Sequence, residues 1–331
     1  MTHQEIAIEK YGSARTLKVR EQPSKEPGQG EVAIDVAFSG VNFADIQMRL
    51  GFYPDAPPKP FVPGYEVAGR VAAVGPGVVG VRPGDEVAAG TYFGGYTSRL
   101  NIPATQVLPL PRGVDLQTGA ALPVNFFTAH LALVEMARVR AGDKVLIECA
   151  TGGVGVLAMQ MAKRAGAEVV GLTTTESKKS FIESYGAVAY TREEFRANTS
   201  LKGYDFILNA SGGTEINWQR ARLGITGRMV CIGINSGVKD GKRNFLRMGW
   251  AAIRTPRVGV LSLFESNSGI FGINALHVLR DPFWIDRLSH AFRGIGDLVP
   301  HVGKVFPATQ VADAHAFLET KKATGKVLLA W

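Results

Sequence analysis

The chain has 331 residues, of which 46% are hydrophobic and 20% are charged, and its formal net charge is +8. This length suits two domains better than one hydrophobic core. We expect no membrane-spanning protein, because no apolar run approaches the roughly 18 residues that span a bilayer. We expect no secretory signal peptide, because MTHQEIAIEK lacks an apolar core. The 2 cysteines cannot build a disulfide framework or a cysteine-rich zinc lobe. We therefore expect a cytoplasmic protein.

The first third of the chain is rich in short β-strand signals. Strands are predicted at 31–38, 66–75 and 85–90, and the Gly/Pro cluster PGVVGVRPG separates the last two. The final segment, GKVLLAW, reads as a strand that returns to this region. We therefore predict a β-rich domain over 1–123 that is completed by 269–331.

From residue 124 the pattern changes to alternating buried strands and amphipathic helices. Buried strands are predicted at 144–150, 168–172, 204–210 and 227–234. Apolar residues recur at helical spacing after the first strand, and a second helix is predicted over about 176–185. This alternation predicts an α/β fold, with a doubly wound parallel sheet over 124–268 inserted into the β-rich domain.

The turn after the first buried strand reads A-T-G-G-V-G. Set against the G-x-G-x-x-G pattern, Ala150 takes the first glycine position, Gly152 the second and Gly155 the third. Gly152 would let the backbone approach a pyrophosphate, and Gly155 would let the helix pack closely on the strand. The first N–H groups of the helix, at Gly153 and Val154, would point at the anion. Strand, turn, helix and second strand stand in the required order, which predicts a dinucleotide site.

The residues after the second strand indicate which dinucleotide is bound. An acid at the tip of that strand would bind the ribose 2′-hydroxyl and repel a 2′-phosphate. This chain has TTTESKK there instead. Donors on Thr173, Thr174, Ser177 and Lys178 suit a phosphate, so the sequence favours NADPH over NADH.

A cluster of positive charge lies between Lys239 and Arg257. A solvated surface face is the simplest interpretation of such a segment. A phosphate-bearing ligand and an anionic membrane surface are the alternatives. We expect no nucleic-acid partner, and peripheral membrane contact stays open.

Five segments carry a resemblance to a known family: SGVNFADIQMRLGFYP, PGYEVAGRVAAVG, VRPGDEVA, AALPVNFFTAH and CATGGVGVLAMQMAKRAGAEVVG. They fall in the order found in the medium-chain dehydrogenase/reductase superfamily, and the match covers essentially the whole chain. The chain resembles the quinone oxidoreductase group, and GKRNFLRMGWAAIR resembles the branch of vesicle amine transport protein homologues. The resemblance implies a Rossmann domain inserted in a GroES-like catalytic domain. It also implies a homodimer, to which the apolar stretch RVGVLSLF (257–264), predicted as a sheet edge, would contribute.

The resemblance also implies a site without zinc. Zinc alcohol dehydrogenases have a cysteine and a histidine where this chain has Asn42 and Tyr65. Because both replacements bind Zn²⁺ poorly, a tetrahedral site cannot be assembled. A site without a Lewis acid suits hydride addition to an activated acceptor, such as a quinone or an α,β-unsaturated carbonyl.

Individual roles also follow from the resemblance. Tyr53 and Asn42 are the catalytic candidates: Asn42 would lie near the nicotinamide, and Tyr53 matches the tyrosine proposed as proton donor in enoyl thioester reductases. A role for Tyr53 as pocket wall is the alternative. Further cofactor contacts are assigned to Asp45, Thr128, Tyr190, Asn209, Gly233, Ile234, Asn235 and Lys326, with Asp45 fixing its loop by hydrogen bonding. Two other functions stay open, an enoyl thioester reductase and a cofactor-binding protein that binds lipid or RNA.

Overall fold

The computed structural model describes residues 1–233 and 253–331. These residues form two compact units. The first comprises Met1–Asn125 and Ala275–Trp331, and the second comprises 126–233 and 253–274. The domain boundaries proposed from the sequence, 123/124 and 268/269, stay a prediction.

The first unit is built on a seven-stranded sheet and a two-stranded one. Its strands are β1 (Thr2–Ala7), β2 (Lys18–Pro23), β3 (Glu31–Val41), β4 (Glu66–Val74), β5 (Glu86–Gly90), β6 (Arg99–Pro103), β7 (Val107–Pro109), β14 (Val302–Pro307) and β15 (Lys326–Ala330). Its helices are α1 (Phe43–Leu50), α2 (Leu116–Gly119), α9 (Ala275–Val278), α10 (Pro282–Arg293) and α11 (Val311–Glu319).

Strand β15 does return to the first third of the chain, as the sequence indicated. It lies antiparallel to β3, and Val327 pairs with Val41. On its other side β3 lies antiparallel to β4, with Ser39 opposite Val67. This register brings three residues to one end of three adjacent strands. They are Lys326, the first residue of β15, Glu66, the first residue of β4, and Asn42, which follows β3.

The second unit contains a six-stranded sheet in which every pair of neighbouring strands is parallel. Its strands are β8 (Lys144–Ile147), β9 (Glu168–Thr173), β10 (Val188–Thr191), β11 (Tyr204–Asn209), β12 (Leu223–Cys231) and β13 (Gly269–Gly272). The helices introduced with it are α3 (Pro123–His130), α4 (Gly153–Arg164), α5 (Lys179–Glu183), α6 (Arg192–Ala197), α7 (Glu215–Arg220) and α8 (Val260–Ser266). The strand order β10-β9-β8-β11-β12-β13 is that of the doubly wound dinucleotide-binding fold.

One predicted element is wrong. Residues 257–264 do not form a sheet edge, because α8 begins at Val260, and the edge strand is β13 instead. Val260, Leu261 and Phe264 recur at helical rather than alternating spacing. All three side chains are exposed, at 83%, 69% and 76%.

One predicted helix differs in detail from the structure. The helix expected over 176–185 is split into a 3₁₀ turn at Glu176–Lys178 and α5. Among the helices of the described residues, none is long and apolar enough to cross a membrane.

Candidate active site

Asn42, Glu66 and Lys326 meet at the end of β15, β3 and β4. Lys326 Nζ donates to Asn42 Oδ1 at 2.6 Å and forms an ion pair with Glu66 Oε1. Asn42 Nδ2 donates to the same Glu66 oxygen at 3.1 Å. The amide of Asn42 is therefore oriented by a cation at its oxygen and a carboxylate at its nitrogen.

Glu66 is enclosed by the backbone around it. Its side chain is fully buried, and its second oxygen, Oε2, accepts from the N–H of Val124 at 2.8 Å, in the first turn of α3. Gly40 provides the space: a Cβ there would lie 2.5 Å from Glu66 Cγ. Both carboxylate oxygens are thus engaged, and Lys326, itself 3% exposed, is the buried counter-charge.

Asp45 holds the loop that carries Asn42. It is fully buried and accepts from the N–H of Asn42 at 2.7 Å, from the N–H of Gly64 at 3.2 Å and from the hydroxyl of Tyr96 at 3.1 Å. Burial raises the pKa of Asp45 to about 7, although these donors and Lys326 act in the opposite direction. Asp45 is expected from the sequence to fix this loop and to contact the cofactor, and both roles stay predictions.

A buried polar chain extends from Asp45 and was not anticipated from the sequence. Tyr96 Oη lies 3.0 Å from His315 Nε2. Burial, with a smaller contribution from Arg49, lowers the pKa of His315 to about 3, so the imidazole is neutral. Arg49, fully buried, is paired with Glu319. No local sequence motif predicts this network of side chains, because 219 residues separate Tyr96 from His315.

Tyr53 belongs to an aromatic cluster. Its ring centroid lies 6.3 Å from that of Tyr65, and Tyr65 lies 5.6 Å from Phe93. Phe61 and Tyr92 contact Phe93 edge-on, at 6.0 and 4.9 Å. Burial raises the pKa values of Tyr53 and Tyr65, so both hydroxyls carry protons at neutral pH.

In the second unit, the glycine turn joins β8 to α4 as predicted. Cys149 has φ +54°, and the N–H of Gly152 donates to its carbonyl at 2.9 Å. A Cβ at Gly155 would lie 2.4 Å from that carbonyl oxygen and 2.7 Å from Cα of Ala150, so only glycine lets α4 start so close to the strand. A Cβ at Gly152 would meet just that same oxygen, at 3.3 Å, among the described atoms.

This turn fits a pyrophosphate. Gly152 is the N-cap of α4, and Gly153 and Val154 are its first residues. Their N–H groups lie at a helix start, where the first N–H groups lack intrahelical partners. Apart from the Cys149 carbonyl oxygen, no described atom outside its chain neighbours lies within 4 Å of a Cβ built on Gly152, and a glycine there leaves that space for an anion to approach the N–H groups.

The residues proposed for the 2′-phosphate lie at and after the end of β9. Thr173 is its last residue and is buried, and its Oγ1 accepts from the N–H of Thr175 at 3.4 Å. Thr174 and Ser177 are exposed. Lys178 is half-buried, and burial lowers its pKa while Cys149 raises it. Lys178 is therefore within electrostatic range of the glycine turn.

The remaining residues predicted to contact the cofactor differ in burial and surroundings. Thr128 lies buried on α3, and Gly233 is partly exposed after β12. The ring of Tyr190 packs against Phe195, 5.9 Å away, in the hydrophobic cluster of the second unit. Asn209 is fully buried; its amide donates to Gln219 at 2.9 Å and its oxygen accepts from Gly212 N–H at 2.9 Å. Ile234 and Asn235 lie outside the described residues.

Glu148, the first residue after β8, is a second buried acid that was not singled out from the sequence. Its carboxylate accepts from the N–H groups of Ala210 and Ser211, at 2.8 and 3.0 Å, and pairs with Arg192 at 2.9 Å. It fixes the loop after β11 against the turn after β8. The sequence feature that could have identified Glu148 is an acidic residue directly after an apolar strand.

A metal site needs ligating side chains that lie next to one another in space. Within residues 1–233 and 253–331, no group of three or more His, Cys, Asp or Glu is placed to hold a metal ion.

A two-unit chain with a doubly wound parallel sheet and a glycine turn at a helix start defines a nucleotide-binding α/β protein. Family models match residues 28–112, an alcohol dehydrogenase GroES-like domain, and residues 185–329, a zinc-binding dehydrogenase. The chain belongs to the medium-chain dehydrogenase/reductase superfamily, close to VAT-1 homologues and quinone oxidoreductases. The fold predicted from the sequence is confirmed.

Two curated relatives match along almost the full chain. A synaptic vesicle membrane protein VAT-1 homolog of Rattus norvegicus is 30% identical over 98% of this chain and 83% of its own length. A quinone oxidoreductase of Sus scrofa is 30% identical over 98% and 96%.

Two solved structures are similar over the whole fold. A mycobacterial protein complexed with NADPH has a TM-score of 0.86 and 26% identity, over 99% of this chain and 100% of its own. The CurK enoyl reductase has a TM-score of 0.80 and 29% identity, over 99% of each chain.

Proposed function

We propose that this protein reduces a quinone or an α,β-unsaturated carbonyl with NADPH and without zinc. The chain is an NADPH-dependent oxidoreductase, in agreement with the quinone oxidoreductase of Sus scrofa and the mycobacterial structure that holds NADPH. The acceptor and the independence from zinc are the proposed parts.

The observation that carries the proposal is the pairing of Glu66. Two positions that bind zinc in the zinc alcohol dehydrogenases are Asn42 and Tyr65, and the nearby acid is already paired with the Lys326 ammonium. Neutral amide and phenol oxygens are poor partners for Zn²⁺. A buried cation beside the remaining carboxylate also opposes entry of a second cation.

Bound NADPH supplies a hydride, and the chain's own residues orient the acceptor. Asn42 has its oxygen engaged by Lys326 and one N–H engaged by Glu66, which leaves its second N–H to donate to a carbonyl oxygen. The hydride adds two electrons and one hydrogen to the acceptor, and a proton completes the reduction. Tyr53, protonated at neutral pH, is the proposed proton donor.

For the cofactor itself, the turn from Ala150 to Gly155 would hold the pyrophosphate at the start of α4. Thr173, Thr174, Ser177 and Lys178 would contact the 2′-phosphate. Lys178 contributes the charge, and the hydroxyl groups contribute hydrogen bonds. Of the other assigned contacts, Lys326 is proposed to act through Asn42.

An enoyl thioester reductase is the second candidate. Tyr53 occupies the position of the proton donor proposed in such enzymes, and the CurK enoyl reductase is 29% identical with a TM-score of 0.80. A thioester-linked enoyl group is itself a conjugated carbonyl, so the same residues would serve it.

One panel of acceptors tests the function. NADPH oxidation is followed at 340 nm with quinones, enones and enoyl-CoA, with NADH in parallel. We expect turnover with at least one class of conjugated acceptor, a preference for NADPH, and unchanged rates after treatment with a zinc chelator. Turnover that requires added zinc would contradict the proposal.

We also propose a homodimer, supported by the exposed apolar face of α8 and the sheet edge at β13. Light scattering after size-exclusion chromatography should give twice the mass of the chain. Leu261→Glu with Phe264→Glu should give the mass of one chain, and a monomeric parent protein would refute the proposal.

A further inference from the structure

The hydroxyl of Tyr65 is buried without a hydrogen-bond partner. The residue is 7% exposed, and its Oη makes no hydrogen bond of acceptable distance and angle with any described residue. The hydroxyl of Tyr53 is its neighbour: besides the burial that raises both pKa values, a hydrogen-bonding interaction between the two phenols lowers the pKa of Tyr53 and raises that of Tyr65. Their contact nevertheless does not have the distance and angle of a formed hydrogen bond. That proximity does not satisfy the donor.

Tyr96 in the same unit shows what a satisfied buried tyrosine looks like. It is fully buried, and its hydroxyl contacts both Asp45, at 3.1 Å, and His315, at 3.0 Å. Leaving a buried hydroxyl unpaired costs free energy, and proteins generally avoid it. A phenylalanine at position 65 would have avoided that cost with nearly the same shape.

The neighbours of Tyr65 indicate what could pair with it. The rings of Tyr53 and Phe93 are its aromatic neighbours, with centroids 6.3 and 5.6 Å away. Burial, with a smaller contribution from Asp45, raises the pKa values of both tyrosines, so the two hydroxyls stay protonated and act as donors. Two donors beside flat aromatic rings suit a planar ligand that carries a hydrogen-bond acceptor.

We propose that Tyr65 is a substrate-contacting residue, whose hydroxyl donates a hydrogen bond to the carbonyl oxygen of a planar conjugated acceptor packed against the Tyr53 and Phe93 rings. The proposal rests on the proposed reductase function and names the group that recognises the acceptor. Tyr65 stands where the zinc enzymes have a histidine. A phenol donor would there polarise the carbonyl as hydride arrives, and Tyr53 would remain available for proton transfer.

Tyr65→Phe tests this in the full-length protein. We expect kcat/KM for an aromatic enone, 4-phenyl-3-buten-2-one, to fall about 100-fold, the lower end of the effect of removing one donor to a developing oxyanion. The melting midpoint should stay the same or rise, because an unsatisfied buried hydroxyl has been removed. NADPH affinity, measured by fluorescence titration, should not change.

Two matched variants complete the kinetic experiment. Tyr204→Phe alters a buried tyrosine in the second unit and should leave kcat/KM unchanged. Tyr92→Phe removes another buried hydroxyl without a partner among the described residues, and Arg280 lies 4.1 Å from the centroid of its ring. Loss of activity in Tyr92→Phe but not in Tyr65→Phe would overturn the proposal, as would a lowered melting midpoint with full activity in Tyr65→Phe.

A measurement that needs no turnover separates this proposal from the reductase function. The carbonyl stretch of bound 4-phenyl-3-buten-2-one should lie at lower frequency in the parent protein than in Tyr65→Phe, because a hydrogen bond weakens the C=O bond. Equal frequencies in the two proteins would refute the role of Tyr65. If no acceptor is reduced but the frequencies differ, the proposed function fails while the carbonyl contact stands.

Discussion

Replacement of Lys326 by methionine should destabilise the first unit strongly. Glu66 is fully buried and Lys326 is 3% exposed, so the variant leaves a carboxylate in the interior without its cation. Removing one partner of a buried pair typically costs about 3–5 kcal/mol. Two neutral donors to Glu66 persist, from Val124 and Asn42, so the lower end of that range is expected.

The melting midpoint at pH 7, followed by circular dichroism, measures the effect. At about 2–4 °C per kcal/mol for a domain of 150–250 residues, the midpoint should fall by on the order of 10 °C. Lys10→Met, which alters an exposed lysine of the same unit, is the control and should shift the midpoint little.

The double variant Lys326→Met with Glu66→Gln gives the decisive comparison. Because it removes both charges, it should be more stable than Lys326→Met alone. A Lys326→Met protein that melts within about 1 °C of the parent, or a double variant that loses the sum of the two single losses, would refute the buried pair.

Three other predictions concern the remaining parts of the site. Gly155→Ala places a Cβ 2.4 Å from the Cys149 carbonyl oxygen, so it should displace α4 and abolish NADPH binding in a fluorescence titration, whereas Gly152→Ala should keep the fold. Lys178→Ala should raise KM for NADPH about 10-fold or more, the value of a charge-assisted hydrogen bond, and leave KM for NADH unchanged in steady-state kinetics; equal effects on both would contradict a 2′-phosphate contact. The pKa of Asp45, raised by burial from 3.8 to about 7, predicts a stability penalty that is absent below pH 4, grows as the pH rises to 7 and is complete above it. The penalty is on the order of 4 kcal/mol, and melting midpoints of Asp45→Asn, measured from pH 4 to 8, should lack this slope.

The sequence predicted most of the second unit because its signals are local. Strand β8, the glycine turn, α4 and β9 follow one another within 144–173, so their hydrophobic periods and glycine spacing could be interpreted directly. The prediction of a sheet edge at 257–264 was wrong because the local signal there is ambiguous. A short apolar run is compatible with strand and helix, and the spacing of Val260, Leu261 and Phe264 decided for the helix.

The first unit was less predictable because its site depends on pairing between distant strands. Lys326 lies 284 residues from Asn42, and they meet only because Val327 is opposite Val41 in the sheet. A slip of one residue would turn Lys326 to the other face of β15. Tyr190 shows the converse: it ends up in a hydrophobic cluster because β10 pairs it with Leu172, whose side chain faces the same core.

The pairing of β3, β4 and β15 also explains why an acid at position 66 can be buried. In the space between β3 and β4, Gly40 leaves room for a glutamate, and the start of α3 offers its carboxylate the N–H of Val124. A carboxylate in that position needs a positive partner, and the strand register brings Lys326 to it. The pair then fixes the orientation of the Asn42 amide, because Lys326 engages its oxygen and Glu66 engages its nitrogen. A neutral residue at position 66 or 326 would remove this constraint. The charge pair thus accounts for the orientation of the one group through which Asn42 can act on a carbonyl.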